Sequence, residues 1–258
     1  MYFDAHNHLQ DEWLRPHLER ISQDVATAHI SAMVVNGTCE ADWPVVSALA
    51  TRFLWVRPSF GLHPWDVGNA PAGWREHLLR ALDADPRAAL GEIGLDRWIL
   101  ESARPDDARL AGLRRAPLAE QLDAFLWQFQ IAVERDRPVT IHCLDAWGPL
   151  AAALREEPRP RRGFLLHAYG GSAEMAREFA ALGAYFSFNG SFLGDPSCHL
   201  LGDTKPGGVA APLRARERDR VRAERYATVF AGLPRDRLLV ETDAPAMQLP
   251  LAHESYAL

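Results

Sequence analysis

The stretch MYFDAHNHLQ (residues 1–10) sets an apolar run ahead of Asp4, His6 and His8. Along a β-strand successive side chains alternate faces, so these three project to one side. Two imidazoles on one face can grip a single metal ion. An H-x-H pair also arises by accident on a surface, so its meaning depends on whether the pattern returns further along the chain.

It returns repeatedly. Apolar, β-branched runs recur at ISAMVVNG (30–37), LWVRPSFGLHP (54–64), AALGEIGLD (88–96), RPVTIHC (137–143), GFLLHAYG (163–170), AYFSFNG (184–190) and RLLVETDAP (237–245). Helical patterns around 13–29, 42–52, 72–84 and 118–136 fall between them. Eight strands separated mostly by helices predict right-handed crossovers and a parallel sheet, which eight units close into an α/β (β/α)8 TIM barrel. No repeat, low-complexity tract or linker interrupts the 258 residues, so residues 1–258 read as a single domain. Two places look irregular: the Arg-rich connection 99–117, and the Gly-, Pro- and Asp-rich segment 194–213, expected to be a loop.

The polar residues sit where such a barrel carries its active site. His6 and His8 close strand 1, His63 closes strand 3, and Glu92 lies on strand 4; His142, His167 and Asp243 close strands 5, 6 and 8. One strand-end histidine is usually a hydrogen-bonded structural residue. Six strands with His, Glu or Asp at the same relative place instead predict ligands for divalent metal, numerous enough for two ions.

Composition narrows the classes. Hydrophobic residues make up 48% and charged residues 24% of the chain, as in an ordinary soluble protein. No apolar run is long enough to span a bilayer, and residues 1–30 lack a secretory signal pattern, so the cytoplasm is the expected compartment, with no membrane partner. Cys39, Cys143 and Cys198 are too scattered for a disulfide framework. A net charge of -6 argues against tight, non-specific binding along nucleic acid, though not against an enzyme that meets phosphates locally through metals.

The strings DAHNH, GLHP, GEIGLD, IHC-x-DA, HAYGG and ETDAP, in order and over nearly the whole chain, resemble the TatD family of metal-dependent hydrolases. The resemblance implies a barrel of the metallo-dependent hydrolase type and a deoxyribonuclease activity, 3′–5′ exonuclease-like, with DNA strand ends as substrate. It also implies two divalent ions (Mg, Mn or Zn): His6, His8 and Asp243 on the first, Glu92 bridging, and His142 and His167 on the second. Paired cations stabilise the attacking and leaving oxygens of a phosphodiester, and a water of lowered pKa attacks. Catalytic roles then fall to Glu92, to Asp243 as proton acceptor, and to His63 as a contact to substrate phosphate. His63 alternatively only fixes the turn before Pro64.

The chain departs from the family pattern at Leu144, where an Arg is usual, and at Arg97, where an aromatic is usual. Only fifteen residues follow Asp243, where the family continues through a segment that covers the barrel wall behind strand 8; without that segment the wall is expected to be exposed, and the 258 residues are expected to be part of a longer chain. Two other readings compete. One is an amidohydrolase-like enzyme or phosphoesterase acting on a small molecule, disfavoured because the single lysine, Lys205, is in a loop while Glu92 takes the bridging strand. The other is a non-catalytic barrel, disfavoured by the complete ligand set. Arg97, Arg104, Arg109, Arg114 and Arg115 are either phosphate contacts or a solvated charged loop that also holds Asp106 and Asp107.

Overall fold

Eight parallel strands hydrogen-bond in chain order: β1 (Tyr2–Asn7), β2 (Ile30–Asn36), β3 (Val56–Phe60), β4 (Ala89–Asp96), β5 (Val139–Leu144), β6 (Phe164–Leu166), β7 (Ala184–Asn189) and β8 (Leu238–Glu241). The structure is a computed structural model and describes residues 1–190 and 223–247. The irregular segment 194–213 and the residues beyond 247 lie outside the described residues. Helices α1 (Leu18–Thr27), α2 (Trp43–Arg52), α3 (Trp74–Ala84), α4 (Trp98–Glu101), α5 (Leu118–Glu134), α6 (Trp147–Glu156) and α7 (Ala173–Ala181) fill the crossovers, and residues 223–231 form α8 before β8. This is the expected (β/α)8 barrel. Among the described residues no helix is long and apolar enough to cross a membrane.

Strands expected at 54–64, 163–170 and 237–245 are shorter in the structure, because GLHP, HAYG and TDAP have left the ladder and turned over the barrel mouth. Every residue of β4 is buried, as a strand packed on both faces must be. Gly91 and Gly94 make that possible: both have φ near +150°, and a Cβ on Gly94 would stand 1.9 Å from the His142 carbonyl oxygen. β4 and β5 therefore approach closely on either side of Glu92.

The outer layer reaches in with polar groups as well as apolar ones. Phe125 and Phe129 of α5 are fully buried, and so are Gln121 and Gln128, seven residues apart on one helix face. Gln128 accepts from Leu62 N–H at 2.7 Å and donates to the Leu62 carbonyl at 3.2 Å. Gln121 holds Asp96 in the same way, at 2.7 and 3.0 Å. Two side-chain amides thus replace the missing ladder bonds where β3 and β4 end, and they set the positions of His63 and Asp96.

The β8–β1 seam closes at the mouth. Asp243 N–H donates to the His6 carbonyl at 2.9 Å and His8 N–H to the Ala244 carbonyl at 2.8 Å. Asp4, buried, accepts from Thr242 N–H (3.0 Å), Thr242 Oγ1–H (2.7 Å), His6 N–H (3.2 Å) and Asn7 Nδ2–H (3.2 Å). One carboxylate clasps both strands, and the clasp brings His6 and His8 against Asp243. Below the seam, Tyr2, Phe3, Leu239 and Val240 are exposed.

Removing the clasp strands four donors. Asp4→Ala is expected to lower unfolding free energy by about 3 kcal/mol, whereas Thr242→Val, which keeps its N–H bond, should lose only about 1 kcal/mol. Urea denaturation of the two variants checks the ratio; equal losses would show that the seam does not depend on Asp4.

Candidate metal centre

Six expected ligands meet at the barrel mouth, with Glu92 at their middle. Its Oε2 stands 3.4 Å from Nε2 of both His6 and His8. Its Oε1 stands 2.7 Å from His167 Nε2, 3.0 Å from His142 Nδ1 and 3.4 Å from His63 Nε2. Asp243 Oδ1 completes the first side, 3.4 Å from His6 Nε2 and 3.5 Å from His8 Nε2. The two carboxylate oxygens of one residue therefore face two separate donor sets. The rings of His6 and His167, one from each set, stack with centroids 3.9 Å apart and planes 9° from parallel.

These separations suit a cation. Donors held about 2.1 Å from one ion in tetrahedral array stand about 3.4 Å from each other. On the first side, His6 Nε2 and His8 Nε2 stand 3.2 Å apart, and each lies 3.4 to 3.5 Å from Glu92 Oε2 and Asp243 Oδ1, longer than charge-assisted hydrogen bonds and right for a shared ion. Nitrogen and carboxylate donors in this mixture are what Zn, Mn or Mg sites use. The donor set fits the group the sequence implies.

The far nitrogen of each imidazole decides which nitrogen is free to ligate. His8 Nδ1–H donates to the Asn36 carbonyl at 2.9 Å, leaving the Nε2 lone pair for the site. His142 Nε2–H donates to Asp96 Oδ2 at 3.0 Å, leaving Nδ1. His167 Nδ1, buried without a hydrogen bond, has Glu241 Oε2 as its nearest carboxylate at 4.0 Å. His63 is the opposite case. Trp65 N–H donates to its Nδ1 at 3.2 Å, so the ring proton sits on Nε2, which faces Glu92 as a donor and not as a ligand.

Charge is balanced within the cluster. Burial opposes ionisation of Glu92, yet His167, His63 and His6 beside it, with the His142 bond, hold its carboxyl well below the usual range. Burial likewise opposes Asp243 and Asp96, and the His6 and His8 rings beside the one and the His142 bond to the other keep both low. Burial also disfavours charge on His6, His8 and His142, but these carboxylates raise all three, His142 to about 10. Burial lowers His63, and burial together with the charge on His6 lowers His167 to about 4. Divalent ions held by these groups would compete with protons for the same nitrogens and oxygens.

The sequence marks two further residues of the site, Asp96 and Glu241, only as members of GEIGLD and ETDAP. Asp96 joins His142 to Trp65, accepting Trp65 Nε1–H at 2.6 Å. Glu241, pushed up to about 7 by burial, accepts from Ala168 N–H at 2.8 Å and Ser187 Oγ–H at 2.5 Å, and so fixes the turn that carries His167. The arginine cluster largely serves its own loop. Arg104 pairs with Asp106, Arg114 binds the Gly68 carbonyl and Glu120, and Arg115 binds the Ile99, Ala103 and Arg104 carbonyls.

Residues 3–199 match the family described as TatD related DNase. The chain is 26% identical over 250 residues to the uncharacterized metal-dependent hydrolase YabD of Bacillus subtilis, covering 95% of this chain and 80% of that protein. It is 30% identical over 222 residues to the 3′-5′ ssDNA/RNA exonuclease TatD of Cronobacter sakazakii, covering 84% and 68%. The crystal structure of YjjV, a TatD homolog from Escherichia coli, superposes with a TM-score of 0.72 at 27% identity, covering 97% of this chain and 82% of that one.

Glu92→Gln keeps the shape but removes the charge that both donor sets share, so divalent-ion content should fall on both sides and turnover should collapse. His63→Ala should leave metal content near normal, because its Nε2 carries a proton. Elemental analysis of the two purified variants separates these roles; full metal content in Glu92→Gln with a near-native rate would contradict the sharing.

Proposed function

The chain belongs to the TatD-related DNase family of metal-dependent hydrolases, and on that footing we propose that it cleaves phosphodiester bonds at the ends of single-stranded DNA. The observation that carries this reading is Glu92, whose two oxygens face two donor sets. One set is His6, His8 and Asp243, and the other is His142 and His167. Two cations held there would neutralise the phosphodiester and the departing alkoxide and acidify an attacking water.

The chain's own residues do the rest. Asp243, whose Oδ1 lies beside His6 and His8 Nε2, would take the proton from the attacking water. His63 offers Nε2–H to a phosphate oxygen, its tautomer set by the Trp65 main chain. Buried Asp96 and Glu241 hold the His142 ring and the His167 turn so that the donor sets keep their spacing when substrate enters.

The rim favours a nucleic acid over a small ester. Trp65 and Trp98, both half-buried, lie 20° from parallel with centroids 6.1 Å apart. Arg109, exposed and held by Asp107, places its guanidinium carbon 5.6 Å from the Trp65 ring centre and 5.1 Å from that of Trp98. Trp65 is joined to His142 through Asp96, so this aromatic and cationic ledge borders the donor sets. Bases stack on such rings with little regard for sequence. The aromatic side chain absent at Arg97 is supplied by its neighbour Trp98, and Arg97 itself leans toward Glu101 at 3.8 Å.

Compare a labelled single strand, bis(4-nitrophenyl) phosphate and a 4-nitrophenyl ester under Mg²⁺ and Mn²⁺, with a chelator control. Chelator-sensitive shortening of the strand is expected, with little action on intact circular duplex. Chelator-sensitive turnover of the ester alone would make the protein a small-molecule hydrolase and leave the metal centre standing. Trp98→Ala should reduce kcat/KM on the strand roughly tenfold, in line with the loss of one stacked base, and leave the small phosphodiester within about twofold. An equal loss on both substrates would remove the ledge from recognition.

A further inference from the structure

His6 differs from the other imidazoles in what faces its far nitrogen. Its Nδ1 lies 3.1 Å from the side-chain nitrogen of Asn36, a donor, while Asn36 Oδ1 is buried with no hydrogen-bond partner. Asn36 ends β2 and is fully buried. Its main-chain oxygen already accepts from His8 Nδ1–H at 2.9 Å and from Gln10 Nε2–H at 2.6 Å. One residue therefore touches the far nitrogen of both strand-1 histidines.

When His6 gives its Nε2 lone pair to a cation, its ring proton must sit on Nδ1 and needs an acceptor. The amide nitrogen now opposite cannot accept. A half-turn of the Asn36 amide brings the unpartnered Oδ1 to His6 Nδ1, exchanging the weak 3.3 Å contact from its nitrogen to the Val34 carbonyl for a bond to a ligand.

We propose that Asn36 is the positioning residue for both strand-1 imidazoles, accepting Nδ1–H of His8 on its main-chain oxygen and Nδ1–H of His6 on its side-chain oxygen. A single strand end thereby aims two Nε2 atoms at one point. Pairing of β2 with β3 through Asn36 and Ser59 fixes that strand end in turn. The inference rests on the reading that His6 and His8 ligate through Nε2.

Two isosteric variants test it by titration of the metal-stripped full chain with Mn²⁺ in a calorimeter. Asn36→Leu removes the acceptor and should weaken Mn²⁺ binding roughly tenfold or more, with thermal stability kept. Asn36→Asp can only accept, and should bind at least as tightly as the native chain. A purely structural role predicts the reverse order, because a buried carboxylate harms a fold more than a leucine does. A charge effect alone predicts a gain in Asp with no loss in Leu. Either pattern would overturn the proposal. His8→Ala serves as the reference: if it too left Mn²⁺ affinity unchanged, the ligand reading itself would fail.

A further observation needs no variant. In the Mg²⁺-loaded native chain with ¹⁵N-labelled histidine, a downfield, slowly exchanging His6 Nδ1 proton is expected. Rapid exchange at that nitrogen would overturn the proposal even if the leucine variant failed to fold.

Discussion

A buried carboxylate among five imidazoles is the constraint on which this barrel is organised. Glu92 has almost no contact with water, and an unpaired charge there would destabilise the fold by several kcal/mol. It is tolerated because His6, His8, His63, His142 and His167 all lie within 3.4 Å of one or other of its oxygens. Those side chains come from four strand ends, and Glu92 from a fifth, so the barrel must close and its mouth must be pinned before the charge is neutralised. Gly91 and Gly94, the Asp4 clasp and the two α5 glutamines are the devices that do it.

The donors are arranged by what lies behind them. Main-chain oxygen, carboxylate or main-chain N–H at the far nitrogen settles which ring atom is free, and this sorts the histidines without regard to their order in the chain. His8 and His142 turn different ring nitrogens toward Glu92 because Asn36 O stands behind Nδ1 of the first and Asp96 behind Nε2 of the second. His63, equally close to Glu92, is turned into a donor by one backbone N–H. Proximity alone would have made it a ligand.

The barrel and its central donors were legible because each lies at or just past an apolar run, so position along the strand carries position in space. The strand order and the convergence of His6, His8, Glu92, His142, His167 and Asp243 follow from that one regularity. The supporting residues were not legible, for a physical reason. Asn36 stands in an apolar stretch where a polar residue reads equally well as solvent-facing, Glu241 is marked only as a member of ETDAP, and their partners lie 30 and 73 residues away along the chain. Gln121 and Gln128 left a faint sign, two amides at helical spacing in an otherwise apolar helix face. The arginines after β4 left two readings open in the sequence, phosphate contacts or a solvated charged loop. Asp106, Asp107 and Glu120 engage three of them, and of these Arg109 also stands on the aromatic ledge.

Whether Glu92 is shared by two cations is tested most directly by anomalous diffraction from crystals grown with Mn²⁺. Two peaks are expected, one bonded to Oε2 with His6, His8 and Asp243 around it, the other bonded to Oε1 with His142 and His167. A single peak, or two peaks of which only one touches Glu92, would contradict the sharing on which the proposed chemistry depends.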